Sequence, residues 1–313
     1  MENRVRWSEL LPREFVARRD SAPIVWLPMG ICEPHGHVAA FGLDTVKADY
    51  LCDESARRIG GIVAPTQGYH VHETGPHAPW LREVVGDVNP LLASYPPDLV
   101  LRTLVFQLRA FRNAGFRLAV VVTGHHGNQD DLRLAAEEFM RRSPMRVIVR
   151  SDPELAASEF EGDHAGSYEV SQLMYLRPDL VDLGRIDDGA TSELKRFAQG
   201  FDASAASAER GRAIIELSLD KLGALVASAG SEVGVEAGAP VGASASREVG
   251  ASAGVEAGAS AGREVGASVG REAAARAGLP AAPLDGFMSL DEADEVWNAV
   301  ASRRDEWVTL REG

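Results

Sequence analysis

The stretch from Ile24 to Asp44, IVWLPMGICEPHGHVAAFGLD, constrains this chain more than any other. Ile24 to Met29 is a short, wholly apolar run that ends at Gly30, the pattern of a buried strand. Glu33, His35, His37 and Asp44 follow at once. Carboxylates and imidazoles are lone-pair donors, and a rigid strand fixes where such donors point. Their crowding just past a strand end predicts a metal site.

The same alternation recurs downstream. Asp44 to Ile59 has helical spacing, with Val46, Tyr50, Leu51 and Ala56 on or near one face, and Gly60-Gly61 ends it. Ile62 to Ala64 reads as a short strand. Residues 65–96 form a long irregular loop rich in Gly, Pro and His, and a loop of that length inside a domain is usually functional. In it, His70, His72, Glu73 and His77 either face a site or are simply solvated. Pro97 to Ala114 is an amphipathic helix, with Leu99, Leu101, Leu104, Leu108 and Phe111 directed at a core. Phe116 to Val122 is the clearest buried strand. The loop Thr123-Gly124-His125-His126-Gly127-Asn128 follows, then a helix over Gln129–Arg142 and a strand over Met145–Arg150. Strands alternating with helices predict an α/β fold with a parallel sheet, whose ligands collect at the carboxyl ends of the strands.

Beyond Arg150 the pattern loosens. Asp152 to Asp163 is acidic and loop-like, and His164-Ala165-Gly166-Ser167-Tyr168-Glu169 leads into a helix that ends at Arg177-Pro178. Residues 179–208 are mixed, and Arg210 to Val226 reads as helix. Over residues 228–278 glycine recurs at every fourth position for long stretches and glutamate at every eighth, in units of the ASAGREVG type. Glycine at that density opposes a helix, so 228–278 is expected to be a disordered insertion. Residues 1–227 plus 279–313 then make up one domain, since loop closure tolerates long inserts. Ser289 to Trp307 closes the chain as a helix capped by Ser289, with Ala293, Val296, Trp297 and Val300 as its apolar stripe. Near the start, Trp7 to Phe15 is a short amphipathic turn with Ser8 as its cap.

Composition narrows the function. The net charge of −14 argues against a general nucleic-acid or anionic-membrane binder. Cys32 and Cys52 are too few for a disulfide framework and fit a reducing compartment, with Cys32 expected as a small buried residue beneath its loop. Met1 to Asp20 is charged throughout, unlike a signal peptide, and no apolar run approaches the roughly 20 residues of a membrane span. The expectation is therefore a cytoplasmic protein. All eight histidines fall between His35 and His164, so the chemistry should sit in the N-terminal half.

Three clusters carry that chemistry: Glu33, His35 and Asp44; His125; and His164 with Glu169. A mixed nitrogen and oxygen donor set suits Zn²⁺, Mn²⁺, Fe²⁺ or Co²⁺ better than Ca²⁺ or Mg²⁺. Two such metals sharing one carboxylate hold a water between them, lower its pKa and polarise a substrate carbonyl.

The motifs resemble those of the creatininase family of metal-dependent amidohydrolases. The first signature, approximately E-Q-H-G-P-H-L-P-x-x-T-D, stands here as Glu33 to Asp44, with the Glu, first His, Gly and final Asp at the right spacing. The second, N-G-H-G-G-N, stands as Thr123 to Asn128. The third, H-A-G-E-x-E-T-S, stands as His164 to Ser171, with Ser167 and Val170 as departures. The resemblance covers roughly residues 5–185 and implies an α/β fold with a layered, mostly parallel sheet flanked by helices, often a hexamer. It also implies two divalent transition metals, Zn²⁺ or Mn²⁺ with Fe²⁺ as an option. By position, Glu33 and His125 would bind one metal, His35 and Glu169 the other, and Asp44 both; His164 would assist catalysis.

Other positions depart from the family. Val38 stands where the second histidine of the first motif belongs, with His37 one residue early. Gly127 replaces the carboxylate that creatinine hydrolases proper carry two residues after the second-motif histidine. Their substrate-packing tryptophans have no counterpart in Ser151–Asp163. The resemblance thus implies a hydrolase of a C–N bond in a small cyclic or linear amide, acting through a metal-bridged hydroxide, with creatinine itself an unsuitable substrate. Two alternatives stand beside it: the same centre cleaving a C–C bond in a cyclic sugar-derived ketone, or a scaffold protein with structural metals.

Overall fold

A computed structural model describes residues 4–85, 91–186, 196–231 and 286–311. Four strands, β1 (Ile24–Met29), β2 (Ile62–Val63), β3 (Leu118–Thr123) and β4 (Arg146–Ser151), form one sheet in the order β2-β1-β3-β4. All neighbouring pairs are parallel, with Ile24 opposite Leu118 and Leu118 opposite Arg146. Every residue of β1 and β3 is buried, as the uninterrupted apolar runs require of strands covered on both faces.

The helices form two layers. Val25, Leu27 and Met29 of β1 face a core made with α4 (Pro97–Asn113), α5 (Gln129–Met140) and α9 (Leu290–Ser302). Ile24 and Trp26 point the other way, onto α2 (Leu43–Arg58) and α8 (Ala208–Ser231). This alternation is the two-residue period of a strand, so each strand serves both cores. The expected layered, parallel α/β sheet is what the chain forms.

The chain leaves β2 on one side of β1 and returns as β3 on the other. The strand order therefore reverses between β1 and β3, and a crevice opens beyond their carboxyl ends. The loops after β1 and β3 are the two singled out above.

Several local expectations change. The 65–96 loop contains a helix, α3 (Ala78–Val85), whose Ala78 and Leu81 are buried. Pro79 falls in its first turn, where a missing N–H removes no helical bond. Asp152 to Asp163 begins with α6 (Asp152–Ala156), started by a capping box in which Glu154 Oε2 accepts the Ser151 N–H at 2.9 Å. Ser8 caps nothing: a short 3₁₀ turn covers Trp7–Glu9, and α1 (Pro12–Ser21) starts at a proline. Leu99 is exposed, because the buried stripe of α4 runs through Val100, Leu101, Leu104, Val105, Leu108 and Phe111. Helix α8 continues to Ser231, past the expected start of the repeat, and Ala229 packs in the core. The rest of the 228–278 repeat, from residue 232, lies outside the described residues.

Candidate metal centre

The β1–α2 loop carries Glu33 and His35, and Asp44 lies in the first turn of α2, where the helix dipole favours a carboxylate. Two glycines let Asp44 come this close to the strands. A Cβ on Gly30 would lie 2.7 Å from the Thr45 nitrogen, and one on Gly124 would lie 2.1 Å from the Asp44 carbonyl oxygen. Thr123 shapes the second loop by donating its hydroxyl to the His125 carbonyl (2.7 Å) and accepting the His125 N–H (3.2 Å). The third segment enters at α7 (Ser167–Leu176). The Asp163 carboxylate accepts the N–H groups of Gly166, Tyr168 and Glu169 at 2.7–3.2 Å, filling the open helix start.

These segments converge. Glu33, His35, Asp44, His125 and Glu169 are all buried. Their donor atoms fall into overlapping groups, each within 4.8 Å: Glu33–His72–His125, His35–Asp44–Glu169 and Glu33–His35–His164. Asp44 stands between two of them, with Oδ1 3.5 Å from His35 Nε2 and Oδ2 3.5 Å from His125 Nδ1. His125 Nδ1 is also 3.0 Å from Glu33 Oε1, and His35 Nε2 is 3.6 Å from Glu169 Oε2. All six residues expected at the site lie in this one cluster.

Backbone carbonyls orient the rings. His35 Nδ1–H donates to the Glu33 carbonyl (3.0 Å), His125 Nε2–H to the Val71 carbonyl (3.2 Å) and His164 Nε2–H to the Pro34 carbonyl (3.1 Å). With one ring nitrogen committed to a carbonyl, the other faces the carboxylates and would offer its lone pair to a metal once its proton is displaced. That is how metal-binding imidazoles are held.

The electrostatics show what the cluster lacks. Burial disfavours a charged His35, but Asp44, then Glu169 and Glu33, outweigh it and raise its pKa to about 9. Burial likewise opposes a charged His125, and Glu33 with Asp44 raises it to about 10. Burial would raise Asp44, yet Lys47, His125 and His35 bring it down to about 2. Surplus negative charge is thus drawing protons onto imidazoles. His35 Nε2 and both Asp44 carboxylate oxygens are buried with no hydrogen-bond partner among the described residues, and Glu33 Oε2 and His72 Nε2, also buried, touch each other without hydrogen-bond geometry. Each such atom costs about 1–3 kcal/mol. Cations seated in the donor groups would satisfy these atoms, and a set of imidazoles and carboxylates suits a divalent transition metal.

Three further residues take part: His72, which the sequence leaves open between site and solvent, and Lys47 and Trp80, which it does not mark. His72, in the loop after β2, sets Nε2 against Glu33 Oε2. Its only signal was the i, i+2 spacing with His70, which in extended chain turns both the same way; both are buried. Lys47 lies one turn along α2 from Asp44 and is 1% exposed, with its ammonium hydrogen-bonded to Glu169 Oε1. Trp80 of α3 stands edge-on to His164 at 5.5 Å, and His164 in turn stacks on His35 at 4.9 Å.

The remaining candidates lie elsewhere. His37 is exposed, against Phe197. His126 turns to the Ser151 hydroxyl (3.1 Å). Cys32 is exposed rather than tucked beneath its loop, while its neighbours Ile31 and Glu33 are buried.

A family model described as creatinine amidohydrolase matches residues 8–226. A creatinine amidohydrolase of Pseudomonas putida is 28% identical over 252 residues, spanning 69% of this chain and 94% of the relative. Among solved structures, a manganese form of creatininase superposes with a TM-score of 0.60 at 23% identity, over 72% of this chain and 98% of that one. A zinc–zinc form of a creatininase variant superposes with a TM-score of 0.57 at 24% identity, with the same coverage. Among the described residues, no helix is long and apolar enough to cross a membrane.

Proposed function

Since the chain belongs to the creatininase family, we propose that its cluster holds two divalent transition metals and hydrolyses a C–N bond in a small cyclic or linear amide. The chain is a hydrolase, which sets aside a scaffold with structural metals. The observation that carries the two-metal reading is the position of Asp44. Its two oxygens face imidazoles of different donor groups at the same distance, 3.5 Å. Glu33, His72 and His125 would hold one metal, His35 and Glu169 the other, and Asp44 would serve both. The manganese and zinc–zinc forms of similar proteins favour these two metals.

When bound, such metals supply Lewis-acid activation of a water and of a substrate carbonyl. The chain's own groups do the rest. His164 commits Nε2–H to the Pro34 carbonyl and keeps Nδ1 facing the cluster, 4.0 Å from Glu169 Oε2. Burial holds its pKa below the ordinary value, so it is neutral at pH 7. A neutral Nδ1 accepts a proton and returns it to the departing nitrogen. Trp80, perpendicular to the His164 ring with centroids 5.5 Å apart, would supply an apolar wall for a planar substrate. The wall therefore comes from α3, not from the 151–163 segment. We carry over the family's hexamer as part of this proposal, to be read as six chains per particle by light scattering.

The test is metal analysis of the purified protein together with a hydrolysis panel of a lactam, a formamide and a cyclic ketone. About two transition metals per chain, reduced in Asp44→Asn, with turnover of an amide, is the expected result. Undiminished metal content in Asp44→Asn refutes the shared carboxylate. Amide turnover that survives His125→Ala refutes the mechanism, and turnover of the ketone alone refutes the bond assignment.

A further inference from the structure

Lys47 is enclosed by carboxylates. Its ammonium donates to Glu169 Oε1 and lies 3.3 Å from Asp152 Oδ2 and 3.6 Å from Asp44 Oδ1. Two of these three carboxylates, Asp44 and Glu169, belong to the His35–Asp44–Glu169 donor group. Asp152, the third, is in no donor group; it is fully buried and held by Gln172 Nε2 at 3.1 Å. The Glu33–His72–His125 group differs. Among the described residues, Glu33 is paired with His72 and His125 and with no lysine or arginine.

We propose that Lys47 is a resident cation of the His35–Asp44–Glu169 group, which holds its two carboxylates together in the metal-free protein and weakens divalent-metal binding there relative to the Glu33–His72–His125 group. This rests on the two-metal reading and deepens it. An ammonium and a divalent metal drawn to the same two buried carboxylates repel each other, and little solvent lies between them to screen the repulsion. Without metal the ammonium is what keeps Asp44, Glu169 and Asp152 from being buried like charges. Removing one partner of a buried ionic set is severely destabilising because the others are left unpaired. Once metal is bound, Asp44 and Glu169 are neutralised by it, and the loss of Lys47 is felt mainly at Asp152.

Two other roles give different signs. A lysine that only orients Glu169 as a ligand would, on removal, weaken metal binding. A lysine that only packs would, on removal, lower stability equally with and without metal. The experiment compares the full-length wild type and Lys47→Met, using Mn²⁺ and Zn²⁺ as probes, by binding isotherm and by thermal melting of the metal-free and loaded forms. The expected result is at least about tenfold tighter binding of the second equivalent in Lys47→Met. Its melting temperature should fall by clearly more in the metal-free form than in the loaded form. Second-equivalent binding that is unchanged or weaker, or an equal melting loss in both forms, overturns the proposal. Lys47→Met with Asp152→Asn removes the ammonium with its outer counter-charge and serves where the single variant does not fold. It should still bind the second equivalent more tightly than the wild type, and failure to do so overturns the proposal. Two equivalents bound with an unaltered second step refute the role of Lys47 alone. Failure of every protein to bind metal refutes the two-metal reading and this role together.

Discussion

Replacing Gly124 with alanine tests how Asp44 is held. Gly124 directly follows β3 and donates its N–H to the Met29 carbonyl at 2.9 Å, so its position is tied to the sheet. An added Cβ would lie 2.1 Å from the Asp44 carbonyl oxygen, 2.8 Å from its carbonyl carbon and 3.0 Å from its Cα. All three are backbone atoms, so no flexible side chain can swing aside. Relieving the shortest contact to 3.0 Å requires the start of α2 to retreat by about 0.9 Å. Metal–ligand distances hold to within about 0.2 Å, so a shift of this size takes Asp44 out of reach of both donor groups. Overpacking of this kind costs about 1–3 kcal/mol in stability. Even residues behind the ligands change metal affinity by about 10–100-fold, so displacing the shared carboxylate should weaken binding at least about hundredfold, or roughly 2.7 kcal/mol. A Mn²⁺ isotherm and melting curves on the variant measure both effects. Gly68→Ala is the control, since a Cβ there meets nothing within 4 Å. Wild-type affinity for both equivalents in Gly124→Ala would refute the account of how Asp44 is placed.

Four further outcomes are expected. His72→Ala should weaken the first metal equivalent at least about tenfold and the second by less, because His72 faces Glu33 and belongs to only one of the two groups; equal losses in an isotherm would contradict that division. Trp80→Ala should raise KM for an aromatic or planar amide more than it lowers kcat, since the ring stands beside His164 and belongs to neither donor group; a loss confined to kcat would argue against the wall. Asp131→Ala strips acceptors from the Val308 N–H (2.7 Å) and the Thr309 N–H (3.0 Å) and hydroxyl, at a cost of about 3 kcal/mol. Chemical denaturation should register that loss, while metal content stays at the wild-type level. In the metal-free protein, His35 and His125 rise from an ordinary 6.5 to about 9 and about 10. Raised folded-state values stabilise fully below pH 6.5, and that stabilisation is lost as pH climbs through 9 and 10. Metal-free protein should therefore melt lower at pH 10 than at pH 7, and a flat profile would count against the proton-laden cluster.

Much of this protein is legible along the chain because local pattern is enough for it. The apolar runs at Ile24–Met29 and Phe116–Val122 read as buried strands, and the strands that form, Ile24–Met29 and Leu118–Thr123, are wholly buried. Glu33, His35, Asp44, His125, His164 and Glu169 were marked as donors by chemistry and by their places next to strand ends or a helix start, and they meet in one cluster. The errors have the same local character. Leu99 was assigned inward by helical spacing alone, yet α4 turns its Val100–Leu104 side to the sheet. The Pro79-containing turn read as loop, and α3 forms there because Ala78 and Leu81 find a core to enter.

Tertiary structure decided the rest. His72, Lys47 and Trp80 come from three separate elements; the sequence offers His72 as a candidate without naming Glu33 as its partner, and it does not mark Lys47 or Trp80 as site residues. Lys47 did carry a trace, since it shares the i, i+4 stripe of Leu51 on α2 and is buried with it. A stripe shows that a residue is buried, not what it is buried against. Asp44 is the clearest case. Its chemistry is written in the sequence, but its place between two imidazoles depends on Gly30 and Gly124 letting α2 settle onto the ends of two adjacent strands. That strand order is a long-range outcome of packing, so only the folded chain specifies it.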